Sequence, residues 1–385
     1  MVPASYAYSD FTYTDPNTGI IEILDQAADY YYACLTSSGG VYDDFQDVMY
    51  GRLSVGNETE LSNCVNKIIS YEANSNGSWT DKTTFVSFSP DLWNSGGSDD
   101  AMETNTGTIP SAYQRSYAYR AYTTDPATLV TQASPIYGQR FTSAQYNDPN
   151  NLCGADLLDN WVYDDPTAGL NSGIHTFVYE GHGGALGFGA EGCGRRILGL
   201  NYPYNCDASG NTIYNKLHNT LYTFMIFNAC QTGEFDDAIE DCEAEQIANL
   251  ANAGAIGVLA STRSSYASAF GVVDGYVLQA MYSSLSHIMG EAVMESKLSM
   301  SYVLFRRQYN LYGDPAVNLW PTGYTVTQNL TLSGTDQISD NITVASGVTL
   351  TISPGTTLQF KPGVSLTINE SALKSCGLGL DFLTN

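Results

Sequence analysis

His182 and Cys230 each follow a hydrophobic run. Ile174 to Tyr179 leads into Glu-Gly-His-Gly-Gly, and Leu221 to Phe227 leads into Asn-Ala-Cys-Gln-Thr-Gly. A thiol is a weak nucleophile at its ordinary pKa of about 8.5, and a nearby imidazole either stabilises the thiolate or takes the proton as sulfur attacks. Once protonated, that imidazole can pass the proton to a leaving amine. Gly183 and Gly184 leave the backbone beside the histidine bare, so amides there could face a developing oxyanion. Taken singly, a cysteine at a strand end is ordinarily a small buried hydrophobe and a histidine beside glycine a turn residue. Their joint placement after two buried runs, 48 residues apart, is what points to chemistry.

The elements that must hold this pair read as an α/β layer. Residues 47–55 read as a short strand, and the next stretch carries Leu61, Val65, Ile68 and Ile69 at helical spacing. Thr84 to Phe88 reads as a further strand, and residues 89–170 as irregular and turn-rich. After the cysteine, Ile239, Cys242, Ile247, Leu250 and Ala251 fall on or near one helical face, with Asp236 and Asp237 placed to complement the helix dipole and Gly254 to stop it. A strand over Ala255 to Ala260 and a helix from about Tyr276 to Met300 complete the pattern. Strands alternating with helices predict a mostly parallel sheet, whose functional residues gather at the carboxyl ends of the strands. Glu180 stands two residues before His182, so in a strand it would share that face and either orient the imidazole or cap a turn. His175 reads as a satisfied edge residue and Cys242 as core.

After Trp320-Pro321 the chain alternates apolar residues with Thr or Ser (TVTQNLTLSG, ITVASGVTLTI, TTLQF, VSLTI). This predicts the start of an all-β repeat module, a β-helix or a sandwich. Three regions are therefore expected: 1–155, a first α/β subdomain lacking part of its N-terminus; 156–321, a catalytic subdomain; and 322–385, the truncated start of the repeat module.

With 15 Lys plus Arg against 40 Asp plus Glu, the net charge of -25 argues against nucleic acid as a partner. No apolar run is long enough for a membrane helix, and no basic and apolar leader opens the chain. The Lys-poor, acidic, Tyr-rich composition suggests a location outside the cytoplasm, extracellular or in the cell envelope. Cys193 and Cys206 bracket a Gly- and Asn-rich loop and could be bridged, whereas no zinc-finger spacing of Cys and His occurs. Gly187-Phe-Gly189-Ala-Glu-Gly192 matches G-x-G-x-x-G, but the residues after it are too short and turn-rich for the helix a dinucleotide fingerprint requires. Asp43-Asp44, Asp99-Asp100 and Asp164-Asp165 are candidate calcium ligands or simply acidic surface.

The blocks VMYGRLSV, VNKIISYE, FVYEGHGG, FMIFNACQTGEF, GVLASTRSSYAS and YNLYGDPAV occur in this order between about residues 40 and 320. Together they resemble the gingipain-type family of caspase-like cysteine peptidases. The resemblance implies a caspase-like sheet flanked by helices in two subdomains, and hydrolysis of peptide bonds through a thioester acyl-enzyme. It assigns Cys230 as nucleophile, His182 as general acid/base, the amides of Gly183 and Cys230 as the oxyanion hole, and Tyr266 as an aromatic wall of the substrate pocket. Gly313-Asp314-Pro315 matches a structural landmark, and Gly51-Arg52 the family's mark for its first subdomain. No cofactor is required for such chemistry, although calcium is implied as a structural ion. The partners would be protein or peptide substrates, with surface attachment through the β-repeat region. The segment 192–210 reads as an insertion near the cleft. The competing reading is a surface adhesin or structural protein that keeps the peptidase fold as an inactive scaffold; the presence of both His182 and Cys230 weighs against it.

Overall fold

The computed structural model describes residues 5–7, 12–14, 21–23, 26–35, 37–38, 41–42, 45–74, 77–87, 102, 105–119, 136–140, 162–189, 196–197, 213–236, 241–265, 269 and 271–369. At its centre lies a seven-stranded sheet. Its strands are β1 (Lys82–Ser87), β2 (Gln114–Tyr119), β3 (Ile136–Arg140), β4 (Thr176–Glu180), β5 (Thr223–Asn228), β6 (Ala255–Ser261) and β7 (Tyr309–Gly313). They lie in the order β7-β6-β5-β4-β1-β2-β3. The first six are parallel and β7 runs antiparallel to β6. This is a doubly wound order, so the carboxyl ends of six strands share one rim. Strands from 82–140 and from 176–261 belong to the same sheet, so the line drawn at 155/156 does not separate two sheets.

β4 and β5 are buried at every position because both faces of the sheet are covered. Phe177, Tyr179, Met225 and Phe227 enter a cluster with Val162, Leu217, Ile247 and Val258. Val178, Phe224 and Ile226 enter the opposite one, with Leu259, Val277, Met281 and Leu285. The flanking helices are α1 (Glu58–Ala73), α2 (Glu243–Asn249), α3 (Val273–Ser283), α4 (Met289–Ser299) and α5 (Val303–Gln308).

Several local expectations are corrected. α1 forms where expected, and Ile68 packs against the core, but the helix buries Cys64, Lys67 and Tyr71 while Leu61, Val65 and Ile69 remain exposed. Lys67 Nζ donates to the carbonyls of Ala248, Ala253 and Ala255, and Tyr71 Oη donates to Leu319 O at 2.8 Å, so polar anchors rather than the apolar stripe set the helix's rotation. β2 and β3 lie inside the stretch read as irregular. Residues 47–55 contribute only an isolated bridge, Arg52 to Tyr312, rather than a strand. The helix expected over 276–300 is two helices, α3 and α4, broken around Ser286.

Beyond the sheet, Tyr324–Val326, Ile342–Val344 and Leu366–Ile368 pair in parallel, as do Leu330–Leu332 with Leu350–Ile352 and Thr335–Ile338 with Thr357–Phe360. Three parallel ladders stacked in register make this a β-solenoid and not a sandwich. The change of composition at Trp320-Pro321 marks no break in packing. Trp320 is buried in the apolar cluster shared by the sheet and the solenoid. His175, Tyr282, His287 and Tyr324 have ring centroids 4.3–5.6 Å from its own.

Candidate active site

The register between β4 and β5 sets the site. Glu180 is opposite Asn228, and Gly181 N donates to Asn228 O at 3.3 Å, which carries the ladder one step further. His182 and Cys230 thus each stand two residues beyond a paired position, on neighbouring parallel strands at the same rim. His182–Gly184 then turns into a short antiparallel pair with Gly187–Gly189. The first three residues of the G-x-G-x-x-G match, Gly187–Gly189, therefore form a β-strand paired on both sides. Gly183 packs onto the cysteine turn so closely that a Cβ there would lie 2.8 Å from Ala229 Cβ and 3.0 Å from Cys230 O. Tyr179 Oη donates to His182 O at 2.8 Å, fixing the backbone from beneath.

Cys230 is half-buried, and its sulfur meets the backbone N–H and C=O of one residue. The thiol donates to Ser265 O and accepts from Ser265 N, each at 3.3 Å. Burial pushes the thiol's pKa up, and the Ser265 backbone hydrogen bond offsets this in part. Burial thus works against a low thiolate pKa in this arrangement. Gln231, directly after Cys230, has φ of 56°, a left-handed conformation unusual for a residue with a side chain. Its amide donates to Arg263 O at 3.0 Å, and Arg263 is held by Asp236 through two bonds of 2.7 Å. Asp236 thus locks the cysteine turn to the strand after it instead of opening a helix, and α2 starts only at Glu243.

Glu180 does not orient the imidazole. Gly181, at φ of 145°, interrupts the alternation that would have placed both side chains on one face. The Glu180 carboxylate instead accepts from Gly271 N and from Asn228 Nδ2 and is hydrogen-bonded to Asp274. Asn228, Asp274 and Tyr309, which complete this buried cluster, carried no distinguishing signal in the sequence. Tyr266, Cys193 and Cys206 lie outside the described residues. His175 is buried and bonded at both ring nitrogens, to Thr176 Oγ1 and Leu319 O, and burial lowers its pKa to about 4. Cys242 is a buried member of the β4–β6 core and stands at the N-cap of α2.

Asp43, Asp44, Asp99 and Asp100 lie outside the described residues. No group of three or more His, Cys, Asp or Glu among the described residues is arranged to hold a metal ion. Asp164 and Asp165 cap a turn, accepting from Asn171 and from the amides of Thr167 and Ala168. Among the described residues no helix is long and apolar enough to cross a membrane.

The two sequence landmarks distant from His182 and Cys230 meet in space. Arg52 N donates to Leu311 O and Gly313 N to Arg52 O, so the 51–52 segment closes the outer edge of β7. A Cβ on Gly51 would land on the Gly313 carbonyl. Arg52 is bound twice by Asp29, at 2.6 and 2.7 Å, with its guanidinium 4.1 Å from the Phe235 ring centroid.

The fold is similar to that of solved peptidases. The crystal structure of the Arg-specific cysteine proteinase gingipain R matches 77% of this chain at a TM-score of 0.55 and 16% identity. The complex of the Porphyromonas gingivalis RgpB pro- and mature domains matches the same share at 0.53 and 16%. At this identity the likeness is one of fold, and the alignments span 61% and 62% of those chains. No curated protein sequence is significantly similar. The sequence model described as peptidase family C25 matches residues 1–320, a span that holds the whole sheet with both His182 and Cys230 at its rim, and the chain accordingly belongs to peptidase family C25.

Proposed function

We propose that the protein is a cysteine endopeptidase in which Cys230 is the nucleophile and His182 the general acid/base. The observation that carries this reading is the β4–β5 register, with Glu180 opposite Asn228 and the two reactive side chains each two residues on. As Cys230 sulfur bonds to the peptide carbonyl carbon, its proton passes to His182. The carbonyl oxygen becomes an oxyanion, for which the amides of Gly183 and Cys230 are the proposed donors. Collapse breaks the carbon–nitrogen bond, the amine leaves with the proton from His182, and a thioester remains. Water then attacks the thioester, giving a proton to His182 and regenerating the thiol. Burial, which raises the thiol's pKa, favours proton transfer that accompanies attack. Protein or peptide substrates, the Tyr266 wall, a location outside the cytoplasm and attachment through the solenoid belong to the same proposal.

Intact-mass labelling with peptidyl acyloxymethyl ketones ending in Arg, Lys, Asp or Leu tests it. A single adduct that forms on the parent protein and is lost in both Cys230→Ala and His182→Ala supports the dyad. An adduct indifferent to His182, or no adduct on folded, reduced protein, refutes it and favours the scaffold reading.

A further inference from the structure

Behind Cys230 the sheet and α3 enclose a polar cluster. Glu180, Asn228, Asp274 and Tyr309 are each 0% exposed. Asn228 Nδ2 donates to Glu180 Oε1 at 3.2 Å and to Ala269 O at 2.7 Å, leaving Asn228 Oδ1 to accept from Tyr309 Oη at 2.6 Å. With the phenol proton committed to Asn228, Tyr309 Oη accepts from Ser265 Oγ, 2.7 Å away. One directed chain therefore runs from Ser265, whose backbone holds the Cys230 thiol, through Tyr309 and Asn228, to Glu180.

The far end of that chain is an acid pair. Gly271 N donates to Glu180 Oε1, and Asn105 Nδ2 donates to Asp274 Oδ2 at 2.9 Å. The remaining oxygens, Glu180 Oε2 and Asp274 Oδ1, are buried with no donor, although the two side chains are hydrogen-bonded to one another. With one proton held by the pair, one carboxyl donates to the other and the two need not face each other as charges. Burial, with Asp274 opposite, holds the Glu180 carboxyl well above the usual carboxylate range, and burial raises Asp274 as well. The titratable groups facing the pair are the Tyr309 phenol from β7 and, beyond it, Cys230. Among the described residues no basic side chain pairs with either acid.

We infer that Glu180 and Asp274 share one proton in the working protein and, through Asn228 and Tyr309, act as positioning residues that hold Ser265 against the Cys230 thiol. This deepens the peptidase reading and rests on it. Loss of the shared proton would set two buried charges face to face and open the chain of bonds, withdrawing the Ser265 amide that stabilises a developing thiolate.

The test follows iodoacetamide alkylation of Cys230 by peptide mass mapping, together with kcat and KM, between about pH 6 and 10. Tyr309→Phe should lower kcat and the Cys230 alkylation rate by about tenfold or more, with KM moved by less than about threefold. The parent protein should lose kcat along an alkaline limb. Glu180→Gln should lack that limb, because its amide donates to Asp274 as the protonated acid does but cannot lose the proton. Parent-like kcat and alkylation in Tyr309→Phe, or an unchanged alkaline limb in Glu180→Gln, would overturn the inference. Should Tyr309→Phe fail to fold, Ser265→Ala removes only the hydroxyl at the outer end of the chain and is read the same way. If the parent cleaves no peptide, the peptidase reading fails, and the alkylation arm by itself still decides the positioning.

Discussion

Glu180 and Asn228 are paired twice, once as register partners in adjacent parallel strands and again by a 3.2 Å bond between their side chains. This double pairing fixes how far each strand runs before its chain turns, and so where His182 and Cys230 leave the sheet.

Gly183→Ala should reduce turnover more than it reduces stability. The added carbon would sit 2.8 Å from Ala229 Cβ and 3.0 Å from Cys230 O, forcing apart the two turns that hold the proposed dyad. Overpacking of this kind costs about 1–3 kcal/mol, and a displaced reacting group about a hundredfold in rate. Thermal melting alongside kcat checks this, and an unaffected kcat would refute the close-packed turn.

Alkylation of Cys230 in the parent protein should accelerate as pH rises from neutrality toward and beyond the ordinary thiol range. Burial raises the thiol's pKa, so the reactive thiolate is scarce at neutral pH. A rate already at its plateau near pH 6 would show a preformed thiolate and contradict the geometry around Ser265.

Gly51→Ala should destabilise the fold without altering the pH dependence of any activity. Its Cβ would collide with the Gly313 carbonyl at the edge of β7, remote in sequence from the dyad. A loss of about 1–3 kcal/mol in urea unfolding is expected; no change would mean that the 51–52 segment yields freely.

Lys297 gives a pH signature of stability. Its ammonium is buried between the Tyr30 and Tyr50 rings, and burial lowers its pKa to about 7. Between about pH 7 and the ordinary lysine value of 10.5, the unfolded chain binds a proton that the native one does not. Stability from this group therefore rises with pH across that window and is lowest below pH 7, where the buried charge must be tolerated. Urea midpoints near pH 7 and pH 9.5 should differ less in Lys297→Met than in the parent; equal differences would refute the assignment.

The parts of the fold legible in the sequence were those with one dominant physical cause. β4, β5 and β6 are continuous apolar runs because they are covered on both sides, and their ends carry His182 and Cys230. β2 and β3, with sequences QRSYAY and IYGQR, lie toward the sheet's outer edge and lack such runs. α1 shows why periodicity alone misplaces a buried face: three backbone carbonyls bind Lys67, which outweighs the apolar row Leu61, Val65, Ile69. The acid pair was illegible because Glu180 and Asp274 are 94 residues apart and are joined only by the packing of α3 on the sheet.

The burial of Trp320 changes what the repeat module is. A chain cut after Pro321 would not be a smaller enzyme relieved of an appendage. It would be a protein with a torn interior, with Trp320 and His287 stripped of Tyr324 and with the Asp340 carboxylate, 2.6 Å from His287 Nδ1, removed. Sheet and solenoid should therefore melt as one calorimetric unit.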